Sequence, residues 1–203
     1  MLRTILGYLR RILPWIAFGA LSTAGWQWGA LAGLVVSVVS LARERRSGVA
    51  AEALVLDFST ALYFALLAAI SITHPGSPLK AFTGALPFVW LTLTAWATII
   101  ARRPFTLGIA RLRVPEPLAS SPRFVRSNTA ISTAWALGFT FNAVSSVLSV
   151  VAGAGVLVMM SCQAIGIAAP GIYTFLHSRR TRARQVAPGS GTVPTMPPRS
   201  SMT

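Results

Sequence analysis

Apolar runs alternate with clusters of arginine along this chain, and the runs are about as long as a helix that crosses a lipid bilayer. A hydrocarbon core of roughly 30 Å needs about 20 apolar residues in a helix rising about 1.5 Å per residue. Residues 49–72, 84–101, 129–151 and 156–177 meet that need. With 54% hydrophobic and 11% charged residues in 203, the chain has too little polar surface to coat a soluble globule.

The first apolar stretch, residues 12–42, is too long for one crossing, since 31 residues would make a helix of about 46 Å. Gly25 divides it, with Trp26 and Trp28 beside the break, and tryptophan favours the boundary between water and lipid. The division gives spans at 12–24 and 27–42. The first is short and borrows the turn from Ile5 onward, with Arg10 and Arg11 reaching back to headgroups.

Six spans put 17 of the 18 basic residues on one side. They fall in four segments: Arg3, Arg10 and Arg11; Arg43, Arg45 and Arg46; Arg102 to Arg126; and Arg179 to Arg199. Lys80 alone lies opposite. Cytoplasmic segments retain Lys and Arg, so both termini are expected in the cytoplasm. Five spans would divide the charges 14 against 4, a weaker asymmetry of the same kind. The expected fold is therefore all-α, a polytopic bundle of six transmembrane helices forming one domain over residues 1–184. The Pro-, Gly- and Ser-rich residues 185–203 are expected to be a disordered cytoplasmic tail, having no apolar face to bury.

A net charge of +14 also suits nucleic acid. The arginines cap hydrophobic spans, however, and no module of stacking aromatics accompanies them, so no nucleic-acid partner is expected. The expected partner is the bilayer itself, with anionic headgroups attracting arginine at about 1 kcal/mol per residue near the surface. The N-terminal arginines, a short apolar core and Ser22-Thr23-Ala24 match a cleavable secretion signal, but the next span follows at once. An uncleaved first span is the reading adopted.

Chemistry is sparse. The single cysteine, Cys162, excludes an internal disulfide and a cysteine-based zinc site, and reads as a small buried residue. The two histidines, His74 and His177, lie on opposite sides, and no phosphate-cradling loop occurs. No catalytic residue, metal or cofactor is therefore assigned, and an enzyme is not expected. Asp57 is the deep carboxylate, placed about two turns inside the third span. It reads either as an intramembrane proton or cation site or as a structural acid, protonated or arginine-paired, that helps hold the bundle. Glu52, near the cytoplasmic edge, is expected to pair with Arg43–Arg46.

Packing signals are clearer. Gly25, Gly29 and Gly33 recur every four residues on the second span, and Ala130, Ala134, Gly138, Asn142 and Ser146 do so on the fifth. Small residues at this spacing let helices approach closely in lipid, and Asn142 can hydrogen-bond across the contact. Both stripes fit packing within the chain or a seam for a homo- or hetero-oligomer. Pro170 should bend the last span, having no amide to offer the Gly166 carbonyl, and such a bend is either a simple kink or the wall of a cavity.

The connection after the fourth span carries Arg102, Arg103, Pro104 and Phe105. Pro104 starts a short interfacial helix with Phe105, Ile109 and Leu112 on one face and Arg111 and Arg113 toward water and headgroups. Val114-Pro115 ends it, and Asn128 caps the fifth span.

Several short motifs together resemble a family. His74-Pro75 and Lys80, Arg103-Pro104-Phe105, Val114-Pro115, Phe124-Val125-Arg126 and Trp135-Ala136-Leu137 are similar to the bacterial intracellular septation protein A family, over roughly residues 6–151. That resemblance implies a multi-pass protein of the bacterial inner membrane linked to division and envelope maintenance, with no catalytic residues to carry over. The chain departs from the family in a longer spacing from Asn128 to Trp135, and in the added span 156–177 with its basic tail. Two functional readings follow. One is a non-enzymatic scaffold or accessory protein of the envelope or division machinery. The other is a small transporter or substrate-binding module in which Asp57 and Asn142 face a common cavity.

Overall fold

The computed structural model describes the backbone of residues 2–112 and 114–186, and the side chains of residues 11–112, 114–116 and 118–181. Every regular element among them is helical: α1 Leu2–Leu21, α2 Trp26–Arg46, α3 Val55–Thr73, α4 Leu86–Ile100, α5 Phe105–Arg111, α6 Glu116–Ala119, α7 Pro122–Val151 and α8 Val156–Val186. Two 3-10 turns, Ala51–Leu54 and Pro78–Phe82, precede α3 and α4. Three stretches are long and apolar enough to cross a membrane: Ala51–Thr73, Pro122–Val151 and Val156–Thr181. Arg11–Leu21 and Leu86–Ile100 are apolar but shorter.

The helices pack in two groups of three. In the first, α2 lies between α1 and α3; in the second, α7 lies between α4 and α8. Aromatic side chains fill the first group, with Phe18, Trp26, Tyr63 and Phe64 buried together and Trp15 packed on them. In the second group Ala95 of α4 and Ala136 of α7 are fully buried beside Phe105, with Trp96, Trp135 and Phe139 packed around them.

The α1–α2 connection shows why the division falls where the sequence places it. Gly25 has φ +149°, a backbone state that side chains disfavour, and it ends the turn before Trp26 opens α2. The Trp26 indole N–H donates to the Pro75 carbonyl at 3.1 Å, which ties this turn to the α3–α4 connection. Gly84 lies beside Met159 of α8, so the α7–α8 turn shares that end of the bundle.

The basic segments gather at the other end. Arg11 Nη2 donates to the Ala53 carbonyl at 3.3 Å, Arg111 lies against Glu52, Thr106 reaches Asn128, and Ser127 bonds His177. Lys80 stands on the far connection, as the charge pattern requires.

Several boundaries differ from expectation. α7 begins at Pro122, not at residue 129, because the Ser121 hydroxyl accepts from the Phe124 N–H at 3.3 Å and proline suits the first helical turn. Asn128 is therefore inside the helix, where its Nδ2 donates to the Phe124 carbonyl. The third span opens with the 3-10 turn Ala51–Leu54, and Asp57 follows in the first turn of α3. α8 continues through Pro170 to Val186, past residue 177 and into the first residues of the expected tail. Arg113 and residues 187–203 lie outside the described residues, and with them the expectations placed there.

Candidate functional site

Two polar clusters and one wedge carry the side chains singled out by the sequence. The first cluster lies between α1, α2 and α3. Arg11 Nε stands 3.7 Å from Asp57 Oδ2, and the two side chains are 26% and 12% exposed. No hydrogen bond reaches Asp57 Oδ2, so the pairing is one of charge. Arg11, Pro14, Ser37, Ser40, Asp57 and Thr60 enclose a recess of about 10 Å³, room for no more than a single water.

The second cluster joins α7 to α8. Asn142 is fully buried; its Nδ2 donates to the Gln163 carbonyl at 3.3 Å, and Gln163 Nε2 donates to Ser146 Oγ at 3.3 Å. Pro170 has no N–H for the Gly166 carbonyl, and that oxygen sits against Gly138. A side chain on Gly138 would also meet Pro170 Cγ at 2.9 Å, so the missing Cβ is what lets α8 approach α7 here. Asp57 and Asn142 belong to different helix groups, and Asn142 does not line the recess beside Asp57.

The glycine stripes act within the chain. A Cβ on Gly29 would stand 2.7 Å from the Phe18 carbonyl of α1, and one on Gly33 would stand 2.5 Å from the Phe64 ring of α3. Gly25, expected on the same face, lies outside α2 and serves the turn. Ala134 is half-buried on the α7 stripe, one turn before the buried Gly138.

The connection after α4 is a wedge. Arg102, at φ +57°, and Arg103 are exposed, while Pro104 and Phe105 are buried at the start of α5. Leu107 faces inward with Phe105, Ile109 is half-buried, and Leu112 is exposed, so the expected apolar face is rotated. The reason is Gly108, which lets α5 rest directly on the Glu52 carbonyl. Thr106 Oγ1 donates to the Asn128 carbonyl at 2.9 Å and lies 2.7 Å from Ser132 Oγ, fixing the other side of α5 to α7. Glu52 pairs with Arg111 at 3.2 Å; the expected pairing with Arg43–Arg46 is replaced because α5 covers the turn that holds Glu52.

Sequence reasoning missed the tryptophan bonds. Trp90 donates to Ser59 Oγ at 2.8 Å, Trp96 to Thr140 Oγ1 at 3.1 Å and Trp135 to Thr174 Oγ1 at 3.1 Å. A tryptophan in the middle of an apolar run was the available signal, because a buried indole N–H requires an acceptor. Among the described residues, no three His, Cys, Asp or Glu side chains converge as metal ligands.

Among the described residues the fold is all-helical, with three helices long and apolar enough to cross a membrane. No family model, no curated protein and no solved structure matches the chain.

Proposed function

We propose that the chain is a six-span, non-enzymatic scaffold or accessory protein of the bacterial inner membrane, with both termini and the arginine-rich end in the cytoplasm. α2 supports the count: its uncharged part, residues 26–42, reaches about 26 Å, and Val35, Val38 and Val39 are exposed along it. Leu93 and Ile100 on α4, and Ile12 and Ile16 on α1, are exposed in the same way, as residues facing lipid are.

One observation carries the scaffold reading. The polar groups best suited to transport are engaged in holding helices together, Asp57 by Arg11 and Asn142 by Gln163, and the recess beside Asp57 is the size of one water. The exposed arginines of the α4–α5 connection and of the α8 end supply attraction to anionic headgroups. The motifs shared with the septation protein A family support work in division or envelope maintenance.

Two experiments test this. In a Cys162→Ala background, Arg103→Cys is expected to react with an impermeant maleimide only after the membrane is opened, and Lys80→Cys in intact cells. The reverse pattern rejects the orientation. In a deletion strain, Asp57→Asn is expected to complement as well as the native chain. Loss of complementation at normal protein level would transfer support to the transport reading.

A further inference from the structure

The two helix groups share more than their number. In each, the second helix lies between the first and the third. On the central helices, Gly29, Gly33, Ser37 and Ser40 have the spacing of Ala134, Gly138, Asn142 and Ser145. Contacts match as well. Gly33 of α2 receives Phe64 of α3, and Gly138 of α7 receives Gly166 and Pro170 of α8. One to two turns before those residues, the third helices place Asp57 and Thr60 by Ser37 and Ser40, and Gln163 by Asn142, the counterpart of Ser37, and by Ser146, one residue past the counterpart of Ser40. Three helices per group is an odd number, so the second group runs through the bundle in the opposite sense, and its polar cluster lies toward the opposite end. The α5–α6 wedge is an insertion, since α1 and α2 are joined by residues 22–25 alone.

Where the groups meet, packing changes character. The backbones of α3 and α4 stay further apart than those of neighbours inside each group. They touch through side chains: Ser59 Oγ lies 2.6 Å from Thr94 Oγ1, Trp90 donates to Ser59 Oγ, and the Tyr63 and Trp90 rings are 5.8 Å apart. The Tyr63 hydroxyl, in a residue only 5% exposed, has no hydrogen-bond partner.

We propose that the chain is an inverted repeat of two three-helix halves, which move as rigid bodies across the α3–α4 seam, with Ser59, Trp90 and Thr94 as its latch. Close glycine contacts make each half stiff, whereas the two side-chain hydrogen bonds of the seam can break and re-form while α5, resting on the Glu52 carbonyl, keeps the basic ends of the halves together. Inverted repeats in membrane proteins move in this manner, one half against the other. The proposal goes beyond the scaffold reading and does not rest on it.

Spin labels at exposed positions test it on the full chain in lipid, in the Cys162→Ala background. Val35→Cys with Leu148→Cys reports between halves; Val35→Cys with Leu62→Cys, and Leu93→Cys with Leu148→Cys, report within them. Pulsed distance measurement is expected to give a between-half distribution about twice as wide as either within-half one, or two maxima, with further widening in Ser59→Ala/Trp90→Phe. Equal narrow widths in all three pairs would overturn the proposal, as would within-half pairs as broad as the between-half pair. If the latch variant does not fold, the three pairs without it still decide.

Discussion

Arg111 Nη1 lies 3.2 Å from Glu52 Oε2, although 59 residues separate them in sequence. This contact holds α5 against the turn before α3, yet charge is the smaller part of the attachment. Glu52 and Arg111 are 63% and 40% exposed, and pairs in that setting contribute no more than about 1 kcal/mol. Gly108 against the Glu52 backbone is the tighter constraint. Glu52→Gln is therefore expected to shift thermal unfolding in detergent only slightly, and Gly108→Val to cost about 1–3 kcal/mol. Equal effects of the two would show that the wedge is held by charge.

Asp57 and Arg11 make a more sheltered pair, and removing one partner strands the other. Asp57→Asn and Arg11→Met are each expected to lower stability by about 1–2 kcal/mol, below the loss for a fully buried pair because Arg11 keeps some solvent. The double variant is expected to lose less than the two singles added together. Strict additivity in a double-mutant cycle would mean that the two charges do not interact.

Glycines in α7 and α8 separate packing from propensity. Gly138→Ala drives a methyl group into the Gly166 carbonyl and Pro170, and is expected to cost about 1–3 kcal/mol. Gly171→Ala meets open space and is expected to be neutral or slightly stabilising. Unfolding midpoints of the two variants, read side by side, check the contrast.

The turn between α1 and α2 gives a further check. Gly25→Ala keeps a Cβ in a positive-φ conformation and is expected to cost about 1–3 kcal/mol. Gly19→Ala, on α1 with nothing within 4 Å of its added Cβ, is expected to leave stability unchanged or raise it. A harmless Gly25→Ala would show that another backbone geometry serves the turn.

What was legible in the sequence follows from solvent. Apolar run lengths and arginine clusters specify helices and their ends, because a helix satisfies its own backbone and charge avoids an apolar surround. The break at Gly25, the short helix after Pro104 and the use of small residues as helix contacts could all be read there. Partner choice could not. Glu52 turned to Arg111 because α5 folds back over it, and Asn128 fell inside α7 because Ser121 captured the helix start.

Linear order thus determined the kind of polypeptide and the positions of its helices, through local hydropathy and backbone conformation alone. Tertiary packing decided that Asp57 meets Arg11 while Asn142 meets Gln163, and that Trp90 joins α4 to α3. Those pairings depend on which helix faces are brought together. Small residues and alanines admit several such choices, and only the whole bundle's steric fit selects one.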